Sequence, residues 1–496
     1  MDACGRQGRE MAAFATLLAP EHVERIHEAS LEILEHVGMA VRSAKARALF
    51  ARHGCHVDSE TQIVRFPRAV VEHFRAACPP SFTLHGRDPQ YERTIPDDGP
   101  LMATTGAAPN IIDPETGQER RSRSDDVARI AHLINELPGF DVCSITNLAD
   151  DAPPGQFALS RFYPTLKNCL KPVTGSAPNL GEASKIFRLG CLIAGSERAY
   201  RERPFITYIC CPLISPLTLD AQGTEALIHF TEERLPNYTV NAPNAGVTAP
   251  LTLTGTLAQC NAEFLACAAL IQMVRPGTPL IYFPLATVAD MRTGAYAPGG
   301  IETGILAIGC AQMARYYNVP CGAYAGLTNA KLNDAQSGYE TGMSTLAAVL
   351  AGVDMLKMGG GLLDALMAFD FAKAVIDNEI ALMLKRVKRG LAFSEADLAL
   401  DVIAEVGPGG LFMDTRHTLK RMRTTALLPE IADRSPRQQW EAEGALNAHT
   451  RALRRVREIL TYDNPAVFAP DVDARIRAEF ERLVAGDAIG LSGGDD

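Results

Sequence analysis

The chain has 496 residues, of which 47% are hydrophobic and 21% charged, and its formal net charge is −10 at pH 7. This length fits one (β/α)8 barrel with extensions, and the apolar fraction is enough to bury a large core. The negative charge argues against nucleic acid or an anionic membrane surface as a partner. No uncharged apolar run reaches the ~20 residues of a membrane span, and twelve cysteines without a CxxC pair are typical of a reducing cytosol, so we expect a cytoplasmic protein.

Residues 1–99 are predicted to form an N-terminal α+β extension. A loose tail at residues 1–18 precedes a helix that begins at Pro20 and ends at Gly38, with apolar side chains at three- to four-residue spacing on one face. The remaining predicted elements are helices at 43–53 and 67–78, a hairpin at 55–66 and extended chain at 82–96. Nothing in this region is typical of a catalytic site.

Residues 100–365 alternate between strand-like and helix-like segments, which predicts an α/β fold, a (β/α)8 TIM barrel. Strands are predicted at 101–104, 142–147, 173–176, 205–211, 238–241, 280–285, 319–324 and 353–358. Helices are predicted at 125–137, 160–168, 180–194, 221–233, 258–274, 302–317 and 339–351. No GxGxxG motif follows a strand, which disfavours a dinucleotide-binding sheet.

Residues 366–496 are predicted to form a helical C-terminal extension that completes the barrel and supplies oligomer contacts. A periodic helix spans 372–389 and is followed by a helix capped by Ser394. A long charged helix is predicted at 435–460. A homo-oligomer is the expected state for a barrel with such an extension.

Few side chains in the barrel have the spacing of a catalytic or metal site. The barrel histidines, His132 and His229, each stand alone on a predicted helix, so no metal site is expected. There is no GxSxG nucleophile elbow. Lys331 and Lys357 are the lysines nearest the C-terminal ends of the predicted strands. Either is a Schiff-base nucleophile if desolvated, or else pairs with a nearby carboxylate. Gly359–361 forms either a tight turn or a loop whose backbone approaches a bulky ligand.

Neutral polar and aromatic side chains collect at the predicted strand ends. Aromatic faces attract cations, including quaternary ammonium groups, so this chamber favours a neutral or cationic small ligand over a polyanion. The candidate substrate-binding residues are Tyr208, Asn241, Phe283, Tyr324, Asn329 and Lys357. Asn329, Lys331 and Asp334 are candidate positioning groups, and no catalytic acid or base is assigned.

Several runs, taken in order, carry a family resemblance. They are IHEASLEILEHVGMAV at 26–41, TGTLAQCNAE at 254–263, DMRTGAYAPGGIE at 290–302, VIDNEIALMLKRVKRG at 375–390 and RSPRQQWEAEG at 434–444. The chain resembles the trimethylamine methyltransferase family, in particular its members without pyrrolysine. Many homologues carry a His where this chain has Lys357.

The resemblance implies a barrel that presents a methylated amine to the Co(I) corrinoid of a separate protein, with Gly359–361 facing the corrinoid. The chain has no DxHxxG cobalamin signature, so we expect it to bind no cofactor itself. A quaternary ammonium leaves as a neutral tertiary amine without activation, which favours glycine betaine or a related betaine as substrate. Asn329, Lys331 and Lys357 are the candidate donors to its carboxylate. The alternatives are a Schiff-base lysine aldolase or lyase, a non-catalytic betaine-binding protein, and methyl transfer to a folate.

Overall fold

The computed structural model describes residues 14–491, apart from the side chain of Cys210. Most of the loose tail predicted at residues 1–18 therefore lies outside the described residues. Eight short parallel strands form the centre of the molecule. They are β1 (Leu101–Ala103), β2 (Cys143–Ser144), β3 (Val173–Gly175), β4 (Ile206–Cys210), β5 (Asn237–Thr239), β6 (Leu280–Tyr282), β7 (Gly322–Tyr324) and β8 (Met355–Lys357).

These eight strands close into a barrel. Strands β2 to β6 pair in sequence as one parallel sheet, and β7, β8 and β1 pair as a second. Parallel bridges from Ala103 to Val142 and from Tyr282 to Cys321 join the two sheets at both seams. The predicted (β/α)8 TIM barrel is therefore confirmed. Seven of the eight strands fall inside a predicted segment, and β5 begins one residue before the segment predicted at 238–241.

A helix follows each strand and packs outside it. The eight are α1 (Ser124–Glu136), α2 (Leu159–Asn168), α3 (Leu180–Ala194), α4 (Ala221–Glu232), α5 (Leu253–Val274), α6 (Ile301–Tyr317), α7 (Ala335–Leu350) and α8 (Phe371–Lys388). Helix α5 is long and apolar enough to cross a membrane, but 94% of its apolar window is buried in the fold. It is therefore accounted for as a core helix of the barrel.

Side chains alternate between the barrel interior and the helix layer, as the pleat of a strand requires. The interior cluster includes Leu101 and Ala103 of β1, Tyr238 of β5 and Met355 of β8. The hairpin Phe82–Leu84/Arg93–Ile95 adds three apolar side chains to this cluster. It precedes β1 and closes the end of the barrel where the strands begin.

The N-terminal layer packs against α5 and α6. Its helices are Pro20–Glu32, which continues as the π-helix Ile33–Val37, Ala44–Arg52 and Arg68–Arg75. Its sheet contains Met39–Val41, His56–Val57 and Ile63–Arg65, extended by Leu213–Ile214 and Thr218–Leu219 from the loop after β4. The 3-10 turn Pro89–Tyr91 and the short helix Glu197–Glu202 complete the connections.

Two small sheets surround the mouth, the end of the barrel where the strands finish. One contains Leu362–Leu363, Ala368–Asp370, Asn110–Ile112 and Glu119–Arg121, and the other contains Asn244–Ala245, Thr287–Asp290 and Ala295–Tyr296. The 3-10 turn Asp364–Leu366 lies between the first two strands. The sequence analysis did not predict these sheets.

After α8 the chain continues as short helices. They are Glu395–Leu398, Leu400–Val406, Arg416–Arg421, Arg437–Ala442, Ala448–Ile459 and Pro470–Glu479. The single helix predicted at 435–460 is wrong. It is divided at Gly444, whose φ of +96° lies in the left-handed region that a continuous helix cannot contain. Helix α8 occupies the eighth helix position, and Ala448–Ile459 packs against it.

Candidate active site at the mouth of the barrel

Lys357 is the last residue of β8 and lies inside the barrel. It is two residues after Met355, which belongs to the interior cluster, so the pleat directs both side chains inward. Only 1% of Lys357 is exposed. Burial lowers the pKa of its ammonium from 10.5 to about 7. Within residues 14–491 no carboxylate forms an ion pair with it, so this cation sits in the barrel without a counter-ion.

Three aromatic rings surround the Lys357 ammonium. Its Nζ lies 5.4 Å from the ring centroid of Tyr324 and 5.8 Å from those of Tyr238 and Phe283. The rings also contact one another: Tyr238 stacks on Phe283 at 5.5 Å, and Phe283 meets Tyr324 edge to face at 5.2 Å. Cations within about 6 Å of a ring centroid are attracted to its face. The mouth therefore has a continuous aromatic wall suited to a positive group.

Cys211 is a neighbour of Lys357 in the barrel. It follows β4, and the only charge-related neighbour of Lys357 in the described chain is its thiol. Burial raises the pKa of the Cys211 thiol to about 11, although its side chain is solvent-exposed. Lys357, the three rings and Cys211 thus lie together inside the barrel, and this cluster of side chains is the chamber discussed below.

The structure places Tyr208 and Asn241 on the opposite side of the barrel wall. The ring of Tyr208 stacks on Phe230 of α4 with centroids 3.4 Å apart. The Asn241 amide donates to Glu263 Oε2 and to the Cys260 carbonyl, both at 2.9 Å and both on α5. These contacts direct both side chains into the helix layer, away from the chamber. A role for either in substrate binding stays a prediction without geometric support.

The three positioning candidates lie in the loop after β7 and have local partners. Asn329 Nδ2 donates to the Tyr296 carbonyl at 2.9 Å, and its Oδ1 accepts from the Gly299 amide at 3.0 Å, so its side chain fixes one of the mouth sheets. Lys331 has a side chain that is 69% exposed and pairs with Asp364 at 3.0 Å. Asp334 caps α7 by accepting from the Gln336 amide at 2.9 Å.

The glycine run after β8 is packed against the protein itself. All three glycines are buried, and Gly360 and Gly361 have φ values of +56° and +101°. An added Cβ would lie 2.6 Å from the Gly326 carbonyl at Gly359 and 2.9 Å from Thr104 at Gly360. The Gly361 amide donates to Asp377 at 2.9 Å. Close packing and backbone conformation account for the glycines, and their approach to a corrinoid stays a prediction.

Sequence reasoning missed two members of the chamber, Tyr238 and Cys211. Tyr238 shares its inward direction with Val240, and both belong to the interior cluster. The signal that would have found them is the strand alternation itself. Among the described residues, no group of three or more His, Cys, Asp and Glu side chains is arranged to hold a metal ion.

Comparison with known proteins identifies the family. The family model for trimethylamine methyltransferase (MTTB) matches residues 4–485. The chain belongs to this family. It is therefore a methyltransferase, and the resemblance found in its sequence is confirmed.

Curated relatives in the family cover nearly the whole chain. The glycine betaine methyltransferase of Desulfitobacterium hafniense (strain Y51) is 33% identical over 93% of this chain and 96% of its own length. The trimethylamine methyltransferase MttB of another Desulfitobacterium hafniense strain is 30% identical, covering 93% and 92%. The trimethylamine methyltransferase MttB2 of Methanosarcina mazei is 29% identical, covering 96% and 95%. Among solved structures, the hydroxylamine MtmB complex matches with a TM-score of 0.45 and 11% identity, covering 88% and 93%.

Proposed function

We propose that this methyltransferase demethylates a quaternary ammonium compound that carries a carboxylate, such as glycine betaine or a related betaine. The acceptor is the Co(I) corrinoid of a separate protein that docks at the barrel mouth. The observation that carries the proposal is the Lys357 ammonium, buried without a counter-ion and enclosed by three aromatic rings. The ammonium can bind an anion, and the aromatic rings a few ångströms away can bind a cation.

Of the three candidate donors to a substrate carboxylate, Lys357 is the one that faces the chamber. The Asn329 side-chain amide already forms hydrogen bonds with backbone groups of Tyr296 and Gly299, and Lys331 is exposed and paired with Asp364. A carboxylate beside Lys357 would supply the missing counter-ion and form a charge-assisted hydrogen bond. It would also favour the protonated amine, since an opposite charge nearby raises the pKa of a lysine.

The aromatic wall then accepts the trimethylammonium end of the same molecule. Two unit positive charges about 5 Å apart repel by about 3 kcal/mol at an effective dielectric constant of about 20. A quaternary amine without a carboxylate meets this repulsion in full when Lys357 is protonated. A betaine cancels it with its own anion. The site therefore favours a zwitterion over choline or tetramethylammonium by roughly 100-fold near pH 6, since each 1.4 kcal/mol is a factor of ten.

The transfer itself needs position more than acid–base chemistry. Co(I) donates an electron pair to one N-methyl carbon, a Co–C bond forms, and the C–N bond breaks with its pair going to nitrogen. The amine leaves neutral, so no proton has to be supplied. The contribution of this chain is to hold the methyl in line with the incoming nucleophile and to exclude water. The proposal places the reaction in the cytoplasm, where the free cysteines of the described chain stay reduced.

The test is methylcobalamin formation from cob(I)alamin, followed by absorbance, with a panel of matched amines. Glycine betaine and longer betaines are expected to react, and choline and tetramethylammonium to react far more slowly. Trimethylamine is included as a tertiary amine that lacks a carboxylate. Faster demethylation of trimethylamine or choline than of every betaine would contradict the proposal.

Lys357 also meets the requirement for Schiff-base chemistry, which keeps a second candidate function open to test. A buried amine with a pKa of about 7 is partly neutral and nucleophilic at physiological pH. Borohydride trapping tests whether Lys357 forms a Schiff base. The protein is treated with a small panel of aldehydes and keto acids, and the product is analysed by mass spectrometry. We expect no covalent addition at Lys357, and stoichiometric addition would favour a lyase or aldolase.

A further inference from the structure

Residues 391–424 form an arm whose two ends meet at the end of α8. Arg386, near the end of α8, donates from Nη1 to the Gly390 carbonyl at 2.9 Å and from Nε to the Thr425 carbonyl at 3.1 Å, so it holds the two ends of the arm together. Between those ends no residue is buried. A segment of this length without a buried side chain gains little from the hydrophobic effect in a single chain.

The arm is apolar as well as exposed. Ten large hydrophobic side chains between residues 391 and 424 are exposed, among them Leu391 at 95% and Phe393 at 82%. Their exposed surface is on the order of 1,000 Å², which exceeds the about 800 Å² that each partner buries in a standard protein interface. Monomeric soluble proteins rarely present a patch of that size to water. The arm therefore has the composition of an interface that is permanently covered.

Charge on the arm is divided into two halves. Residues 391–414 carry five acidic side chains and no basic one, at Glu395, Asp397, Asp401, Glu405 and Asp414. Residues 415–424 carry Arg416, Lys420, Arg421 and Arg423 and no acidic one. In a two-fold interface the same surface is used by both copies, so the first half of one arm faces the second half of the other. An acidic half and a basic half are complementary in that arrangement.

The arm leaves the barrel on the face opposite the mouth. Lys385 of α8 donates to Asp141 at 2.9 Å, and Asp141 lies just before β2 begins. Lys388 lies 5.5 Å from the ring of Phe14, which packs against Gly352 just before β8. The end of α8 is thus at the N-terminal ends of the strands. A protein that delivers cobalt to the mouth approaches from the other side, which leaves a second copy of this chain as the occupant.

We propose that residues 391–424 are a dimerisation arm that packs, through a two-fold axis, against the same arm of a second copy of this chain. The ten exposed apolar side chains supply the buried core of the interface. The acidic and basic halves set the register and exclude parallel or shifted pairings.

Two charge-inverted variants of the full-length chain test the proposal by sedimentation velocity. One carries Asp401→Lys with Glu405→Lys, and the other carries Arg416→Glu with Lys420→Glu. All four side chains are exposed, and the Arg421–Asp397 ion pair within the arm is left intact. The wild-type chain is expected to be a dimer, or a larger assembly that contains this two-fold contact. Each variant alone is expected to lose that association step, weakened at least about 100-fold by like charges across the axis.

An equimolar mixture of the two variants is expected to restore the association. In the mixed pair the lysines introduced at 401 and 405 of one arm face the glutamates introduced at 416 and 420 of the other, and the unchanged halves keep their opposite charges. Arg198→Glu with Arg437→Glu is the matched control, since these side chains are 88% and 81% exposed and lie outside the arm. It is expected to behave as wild type. A monomeric wild-type chain, unchanged association of either variant, or a mixture that stays dissociated would each overturn the proposal. So would an arm that is covered only after a corrinoid protein is added.

Discussion

Replacing Lys357 with Met is expected to stabilise the fold while it removes substrate binding. The two side chains have similar length and volume, so the change mainly deletes a buried charge. Burial lowers the pKa of the Lys357 ammonium from 10.5 in the unfolded chain to about 7. A shift of 3.5 units corresponds to about 5 kcal/mol of folding free energy. A lysine kept at this cost, with no partner in the described chain, is expected to serve a ligand and not the fold.

The pH dependence of the folding stability follows from whether Lys357 is protonated in the folded and in the unfolded chain. Below pH 7 the lysine is protonated in both states, and the native state bears the full cost of about 5 kcal/mol. Between pH 7 and 10.5 the unfolded chain keeps the proton that the folded chain has lost, so stability rises with pH. At pH 9 the remaining cost is about 2 kcal/mol. The advantage of Lys357→Met over wild type should therefore be about 3 kcal/mol larger at pH 6 than at pH 9.

Urea unfolding of both chains at pH 6 and pH 9 measures this double difference. Packing differences between Lys and Met are the same at both pH values and cancel, which isolates the titration. Lys331→Met is the matched control, because that side chain is 69% exposed and its loss is expected to leave both midpoints unchanged. An equal stability gain at pH 6 and pH 9 would show that Lys357 keeps an ordinary pKa in the folded protein. Unchanged betaine affinity in Lys357→Met would remove the residue from the site.

Three further outcomes are expected. Betaine affinity, measured by calorimetry, should be highest below pH 7 and should fall about tenfold per pH unit above it, because binding then requires proton uptake by the buried amine. Gly322→Ala places a methyl group where the Phe283 ring lies, so KM for the betaine should rise at least about tenfold. An unchanged KM would show that the Phe283 ring does not contact the substrate. Lys373 and Asp377 form a buried ion pair at 2.8 Å. Asp377→Asn leaves the Lys373 ammonium without its carboxylate partner and should cost about 3–5 kcal/mol in urea unfolding. Its control, Asp364→Asn at an exposed ion pair, should cost less than about 1 kcal/mol.

The barrel could be predicted from sequence because its signals are local. Each strand is a short apolar run, each helix has an apolar face, and the capping residues stand where the helices begin, as Asp334 does for α7. The mouth sheets have no such signal. Ala368–Asp370 pairs with Asn110–Ile112, which is far away in sequence, and each strand has only three residues. Pairing between such short, distant segments is decided by the folded barrel and not by local propensity.

The candidate site was only partly predictable for a different reason. Strands of a parallel barrel are buried on both faces, so their sequences are apolar throughout and do not reveal which alternate residues point inward. Phe283, Tyr324 and Lys357 point into the chamber. Tyr208 lies within β4 and Asn241 follows β5, but both have the opposite parity and reach the helix layer. A one-residue difference in parity therefore separates a substrate-binding candidate from a packing residue.

Gly322 indicates which residues of β7 point into the barrel, which the apolar strand sequence does not reveal. A glycine inside a strand often marks the close approach of another group, and here the space its side chain would occupy is filled by the ring of Phe283. That placement brings Phe283 against both Tyr238 and Tyr324 and makes the aromatic wall continuous. Two residues after Gly322, the same inward direction belongs to Tyr324, and Lys357 is its direct partner on β8. The missing side chain of one glycine thus aligns the rings that enclose the buried ammonium, so the aromatic wall and the cation form one structural unit, and this unit is the site that the proposed function assigns to a betaine.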